Sequence, residues 1–102
     1  MSFKSGMRPV HPGEVLREDY LKPLEMSVNA LAKRLGVSTS RINDIVLRRR
    51  GVTPETAMRL ARFFGGDARS WLNLQTAYDL RTAEITRARD IERSVEPRQR
   101  SA

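Results

Sequence analysis

The stretch that decides the fold is SVNALAKRLGVSTSRINDIV, residues 27–46. Its first half has apolar residues at positions i, i+3, i+4 and i+7, the spacing of one helix face. These residues are Val28, Leu31, Ala32 and Leu35. Gly36 predicts the end of that helix, because glycine readily takes the left-handed conformation of a C-terminal cap. Ser38 predicts the N-cap of a second helix, whose apolar residues are Ile42, Ile45 and Val46.

Two short helices joined by about four residues that include a glycine match the helix-turn-helix pattern. The second helix of that motif lies in the DNA major groove, and its outward residues meet the base edges. Here the outward residues are Ser38, Thr39, Ser40, Arg41, Asn43 and Asp44. Arg41 can pair with a guanine and Asn43 with an adenine. Asp44 has two possible roles: it accepts from a cytosine amino group, or it orients Arg41 or Arg48.

The positive charge of the chain is concentrated around this motif. The 102 residues carry 19 lysines and arginines and 12 acidic residues, a net charge of +7. Eight basic and two acidic residues lie between Lys33 and Arg62, so 8 − 2 = +6 of that excess falls there. Such density attracts phosphate. The predicted phosphate-binding residues are Lys33, Arg48, Arg49, Arg50 and Thr53, although a solvated basic loop is the alternative for the three arginines.

The rest of the chain predicts an all-α fold, a five-helix repressor-like bundle. The expected helices span about 13–21, 28–35, 39–47, 54–64 and 68–85, and Pro23 is expected to end the first. Residues 1–11 are predicted to be a flexible arm. Residues 12–85 form the expected domain, and the charged segment 86–102 has too few apolar residues to order itself. The last helix can extend into this segment, with a mobile tail expected from about Ser94.

The last predicted helix has a wider apolar arc than one small monomer requires. The residues of this arc are Trp71, Leu74, Tyr78 and Ile85. They predict a homodimer interface, because exposed apolar patches usually mark interfaces. The alternative is that Trp71 and Leu74 close the core of the first four helices.

Enzymatic chemistry is disfavoured by composition. The chain has one histidine, His11, no cysteine and no clustered carboxylates, so the usual acid, base and metal-ligand sets are lacking. We therefore expect no catalytic residue, cofactor or metal. No apolar run long enough to span a bilayer and no signal peptide are visible, so we expect a cytoplasmic protein that does not bind membranes.

Residues 11–81 resemble the HigA antitoxin family, within the Cro/phage-repressor type of helix-turn-helix. Besides the opening stretch, the matching segments are HPGEVLREDYLKPL, RRRGVTPETAMRLARFFG and SWLNLQTAYDL. The resemblance implies a dimer that binds a palindromic operator, represses its own operon and sequesters a small basic RelE-like toxin of the HigB type, an mRNA endonuclease. A free-standing regulator without a toxin is the alternative.

The sequence departs from the family pattern at the start of the second helix. Val28 occupies the position where relatives often have a glutamine that holds a phosphate. The resemblance therefore implies that this contact is missing or moves to Ser27 or Asn29. Thr39 also replaces a larger residue common in relatives, so the operator sequence cannot be transferred.

Overall fold

Five helices build the structure, a computed structural model that describes residues 8–99, and those residues contain no strand. Helix α1 has three consecutive parts: an α-helical start Pro12–Val15, a π-helical middle Leu16–Leu21 and an α-helical end Lys22–Leu24. The others are α2 Val28–Leu35, α3 Thr39–Val46, α4 Pro54–Phe64 and α5 Ala68–Ser94. The predicted all-α class, the number of helices and the bounds of α2 and α4 are confirmed. Of the predicted arm, residues 8–11 are non-helical and residues 1–7 lie outside the described residues.

The prediction that Pro23 ends α1 is wrong. A proline ring normally clashes with the carbonyl four residues earlier, but the preceding π-helical turns are wider. The N–H of Lys22 bonds to the carbonyl of Arg17, five residues back, which leaves room for the ring. The helix ends instead at Leu24. The next residue, Glu25, has a left-handed φ of 51°, and the Met26 N–H donates to the Leu21 carbonyl at 2.9 Å.

Hydroxyl and carboxylate side chains cap the starts of α2 to α5, and the His11 ring caps α1. Ser27, Ser38, Thr53 and Asp67 each precede a helix and accept the backbone N–H three residues later. Such a cap contributes about 1 kcal/mol relative to alanine. The helix starts predicted from these residues are therefore confirmed.

One apolar core lies between the helices. It consists of Leu16, Leu21, Leu31, Ala32, Leu35, Ile42, Ile45, Val52, Ala57, Leu60 and Trp71. Full burial of one large aliphatic side chain contributes about 1.5–3 kcal/mol. Both helices of the helix-turn-helix, α2 and α3, contribute residues to this core. Their packing fixes α3 relative to the other helices.

Gly13 sets the distance between α1 and α3. A Cβ atom at this position would lie 1.8 Å from the Ile45 carbonyl oxygen, so any side chain would collide with the backbone of α3. This close approach explains the glycine in the segment His11-Pro12-Gly13-Glu14, and it places the N-terminus of α1 directly behind the C-terminal end of α3.

Helix α5 is longer than predicted, because it ends at Ser94 rather than 85. Residues 86–94, assigned from sequence to a disordered tail, are its last turns, and residues 95–99 have no regular structure. Residues 100–102 lie outside the described part. The helix of 27 residues is about 40 Å long at 1.5 Å per residue, and the molecule measures 59 × 26 × 25 Å. No helix among residues 8–99 is both long and apolar enough to cross a membrane.

Trp71 is buried within the single chain, so its assignment to a dimer interface is wrong. Its side chain is only 5% exposed, and its ring lies 5.3 Å from that of Tyr20. Leu74 packs against the core as well, as the alternative interpretation expected. Tyr78 makes an edge contact with His11 at 4.8 Å. Of the four predicted interface residues, only Ile85 is mainly exposed, at 57%.

Candidate nucleic-acid interface

The turn between α2 and α3 aims one side of α3 away from the core. Gly36 has a φ of 72°, and the Val37 N–H donates to the Ala32 carbonyl at 3.0 Å, a common glycine-dependent helix end. Ile42 and Ile45 are fully buried. The six predicted base-reading residues are accordingly exposed or half-buried. We call them the reading face: Ser38, Thr39, Ser40, Arg41, Asn43 and Asp44.

A side-chain hydrogen bond joins the first turns of α2 and α3. The Thr39 hydroxyl donates to the Asn29 side-chain oxygen at 2.7 Å. This bond uses only the carbonyl of the Asn29 amide, so its two N–H groups keep their donor capacity. The Val28 side chain packs against the core and has no donor for a phosphate, whereas the Asn29 side chain does.

Arg41 lies at the edge of the reading face nearest to α4. Its side chain is 32% exposed, and its guanidinium is 3.9 Å from a Glu55 carboxylate oxygen. Glu55 also accepts from Arg59 at 2.9 Å. The Arg59 hydrogen bond, and secondarily the charges of Arg59 and Arg41, lower the pKa of Glu55. The carboxylate therefore stays ionised and helps to orient Arg41.

Asp44 pairs with the arginines that follow α3. One of its carboxylate oxygens accepts from Arg49 at 3.0 Å, and the other lies 3.6 Å from Arg50. Of the predicted roles, the orientation of Arg41 or Arg48 is not what the structure contains. Asp44 instead orients the next two arginines.

Residues 48–52 form what we call the arginine loop. It begins at Arg48, whose φ of 64° is left-handed, a conformation that is uncommon for a residue with a side chain. The Arg49 N–H donates to the Asp44 carbonyl at 2.7 Å, and this bond ends α3 without a glycine. The side chains of the seven predicted phosphate-binding residues are all exposed: Ser27, Asn29, Lys33, Arg48, Arg49, Arg50 and Thr53.

Sequence reasoning missed two residues near this surface. Leu47 follows Asn43 by one helical turn and is 50% exposed beside the arginine loop. Gln75, on α5, accepts the Val52 N–H at 2.8 Å. An exposed leucine in register with the reading face could have indicated the first, whereas nothing local connects Gln75 with a loop 23 positions away.

His11 is buried at the start of α1, where its ring contacts Tyr78 of α5. Its Nδ1 atom accepts the Gly13 N–H at 2.9 Å, which caps α1. Burial lowers the pKa of His11, and the charge of Arg48 lowers it further, against smaller opposing effects of Asp79 and Glu14. The ring is therefore neutral in this position and structural in role. Among residues 8–99, no three His, Asp or Glu side chains converge as metal ligands do.

Comparison with known proteins places this geometry in a family. Residues 18–71 match the family model described as Helix-turn-helix. Virulence-associated protein I of Dichelobacter nodosus is 64% identical over 81 residues, which cover 79% of this chain and 75% of the relative. A structure of antitoxin GraA in complex with its operator is 46% identical, with a TM-score of 0.86 over 98% of this chain and all of the other.

A further solved structure connects the chain with a named branch of that family. The Pseudomonas aeruginosa antitoxin HigA, solved with the higBA promoter, is 43% identical, with a TM-score of 0.86 over 90% of this chain and all of the other. Identity and coverage of this size extend the likeness beyond the motif to α1 and α5. The chain therefore belongs to the helix-turn-helix family and, within it, to the HigA antitoxins.

Proposed function

We propose that this chain is a sequence-specific operator-binding antitoxin that represses its own operon. The observation that carries the proposal is the reading face of α3, which lies on the surface with the arginine loop at its end. The two solved relatives, described with a promoter and with an operator, support the same use of this surface.

The two parts of the surface have different tasks. Arg41 pairs with a guanine and Asn43 with an adenine. The hydroxyl groups in the first turn of α3 can contact several different bases. The arginine loop, Lys33 and Asn29 bind phosphates, which supply most of the affinity and little sequence information. Asn29 takes the phosphate role that Val28 cannot fill.

The protein acts as a homodimer on a palindromic operator. The part of α5 beyond the core carries exposed apolar residues: Leu80, Ile85 and Ile91 are 58%, 57% and 52% exposed. Leu80 and Ile91 differ by 11 positions, about three turns, and so lie on one side of the helix. A second copy of α5 would cover this row, which replaces the predicted contact through Trp71.

The partner besides DNA is a small basic toxin of the HigB type, a RelE-like mRNA endonuclease. This part of the proposal is supported by the family alone. Two of the three acidic side chains of α1 are already paired, Glu14 with Arg8 at 2.6 Å and Glu18 with Lys22 at 3.0 Å, which limits the charge that they offer to such a partner.

Two arginine variants test the DNA contacts against each other. Arg41→Ala is expected to cost about 1–3 kcal/mol on the operator and much less on random DNA, since it removes a base contact. Arg49→Ala is expected to weaken both and to reduce the salt dependence of binding by about one counterion. Titrations of both duplexes at several salt concentrations measure this. Equal loss of Arg41→Ala on both duplexes would make Arg41 a phosphate contact.

Co-expression with the neighbouring gene product tests the toxin partner. We expect the two proteins to purify as one complex and the antitoxin to restore growth to cells that express the neighbour. A neighbour that is not toxic and does not bind would leave the alternative function, a free-standing transcriptional regulator.

A further inference from the structure

We propose that Gln75 is a positioning residue for DNA binding, because its side-chain amide fixes the arginine loop at the end of α3. The inference rests on the proposed operator-binding function and deepens it. It identifies the group on α5 that sets where the phosphate-binding arginines are held.

The first half of the arginine loop is held by α3 itself. The N–H groups of Arg49 and Arg50 both donate to the Asp44 carbonyl, at 2.7 and 3.2 Å. The second half has a different support. The N–H of Val52 donates to the Gln75 side-chain oxygen at 2.8 Å, so the far end of the loop is attached to α5.

This attachment cannot readily be exchanged for a bond to water. Val52 is only 4% exposed, and a buried N–H without an acceptor is strongly unfavourable. Asp79, one turn further along α5, accepts from the Gln75 amide nitrogen at 3.0 Å. That bond determines the orientation of the amide, because the nitrogen faces Asp79 and leaves the oxygen for Val52.

Gly51 provides a second, independent observation. A Cβ atom at this position would lie 2.9 Å from the amide carbon and nitrogen of Gln75. Any side chain at residue 51 would therefore require the Gln75 amide to move from its present position. Gly51, Val52, Gln75 and Asp79 together form a fitted contact between the loop and α5.

Helix α5 therefore couples two proposed functions, dimerisation and phosphate binding. Helix α5 carries the proposed dimer contacts at Leu80 and Ile91, and through Gln75 it also holds the loop that binds phosphate. The distance between the two arginine loops of a dimer is therefore set through α5 as well as through α3.

The test uses Gln75→Met, which keeps the length of the side chain but has no oxygen to accept the Val52 N–H. The probes are a duplex of the DNA upstream of this chain's own gene and an unrelated duplex of equal length. We expect about tenfold weaker binding to both and a salt slope lower by about one. Hydrogen exchange at the Val52 amide is expected to be at least tenfold faster, with the Ile45 amide and the dimer unchanged.

Two further variants separate positioning from simple destabilisation. Thr76→Met, at an exposed position of the same helix, is the matched control and is expected to bind both duplexes as the wild type does. The double variant Gln75→Glu with Asp79→Asn exchanges carboxylate and amide, so an oxygen again meets Val52 at the same total charge. We expect it to restore most of the affinity and of the Val52 protection.

Two results would overturn the inference. One is a Val52 amide that stays protected in Gln75→Met. The other is wild-type affinity and salt slope despite an unprotected amide. Wild-type protein that binds neither duplex would instead refute the proposed function, and it would do so before any variant is compared.

Discussion

Both halves of α5 are helical, but different interactions stabilise them. Near its start, Trp71 is 5% exposed and packs 5.3 Å from Tyr20. From residue 83 to residue 94 every described residue is exposed. The first half of α5 is therefore stabilised by packing against α1–α4, and together with them it forms what we call the packed half of the molecule. The projecting half, residues 83–94, depends on its own local interactions.

Those local interactions are weak. Arg81 and Glu84 lie 3.6 Å apart, and Asp90 and Arg93 lie 2.6 Å apart, each three residues along the helix. Such pairs contribute about 0.2–0.5 kcal/mol each, while an isolated helix of about 12 residues is marginal in water. We therefore expect the projecting half to be only marginally helical unless the proposed second copy of α5 covers its exposed apolar residues.

Among these substitutions, Gly13→Ala should destabilise the packed half most. The new Cβ would lie 1.8 Å from the Ile45 carbonyl oxygen, and backbone on both sides resists displacement. We expect a loss of at least about 3 kcal/mol in the free energy of unfolding, measured by urea titration. Arg87→Ala in the projecting half is the control, with a change within about 0.5 kcal/mol. Equal small changes would mean that α1 and α3 are not held in this contact.

The same substitution, isoleucine to alanine, can be compared in the two halves. Ile42 is fully buried in α3, whereas Ile91 is 52% exposed in α5. Ile42→Ala should cost about 2–5 kcal/mol. Ile91→Ala should change the unfolding free energy of the monomer by less than about 0.5 kcal/mol but raise the dimer dissociation constant. Denaturant titration and sedimentation over a range of concentrations measure both, and a dimer unaffected by Ile91→Ala would place the interface elsewhere.

Acid should destabilise the packed half through His11. The folded state lowers the pKa of His11, so the unfolded chain binds the proton more readily, with a pKa near 6.5. The stability from the neutral ring is present above about pH 6.5 and is lost as the pH falls below it. Each pKa unit between the two states corresponds to about 1.4 kcal/mol.

His11→Asn provides the control for this pH dependence, because asparagine also caps helices but does not titrate. Its unfolding free energy should change less than that of the wild type between pH 7.5 and 5.5, values chosen as about one unit either side of the free histidine pKa. Identical pH profiles would exclude His11 as the group responsible.

Asp90→Ala should have the smallest effect. It removes the 2.6 Å ion pair with Arg93, both of whose members are more than half exposed. We expect a slight loss of helicity by circular dichroism, equivalent to at most about 0.5 kcal/mol, and no change in the unfolding of the packed half. A cooperative loss of stability would show that the projecting half is part of the same folding unit.

The sequence predicted the features that depend on local pattern. The stripes around Gly36 and the caps at Ser27, Ser38 and Thr53 placed α2, α3 and α4 correctly, because helical spacing and capping involve neighbouring residues. Pro23 was misjudged because the wider π-helical turn before it has no recognised sequence signal. The end of α5 was misjudged because its charged segment lacks apolar residues, although its ion pairs favour a helix.

The features of the candidate site also fall into those that follow from local sequence pattern and those that depend on tertiary contacts. The exposure of the reading face follows from the positions of Ile42 and Ile45, so it was predictable. The pairing of Asp44 with Arg49 and Arg50 depends on the left-handed Arg48, where no glycine marks the turn. The contact of Gln75 with Val52 depends on tertiary structure alone. Trp71 was assigned to an interface because an apolar residue in sequence does not reveal which partner covers it.

The pairing of Asp44 with Arg49 and Arg50 bears on the time the protein needs to find its operator. A DNA phosphate that binds these arginines competes with a carboxylate already 3.0 Å from Arg49. Random sequence offers phosphate contacts alone, so we expect this competition to shorten each visit to a wrong site. Faster release allows more sites to be sampled per second. Asp44→Asn should therefore dissociate more slowly from random duplex in stopped-flow measurements, and an unchanged rate would contradict this role.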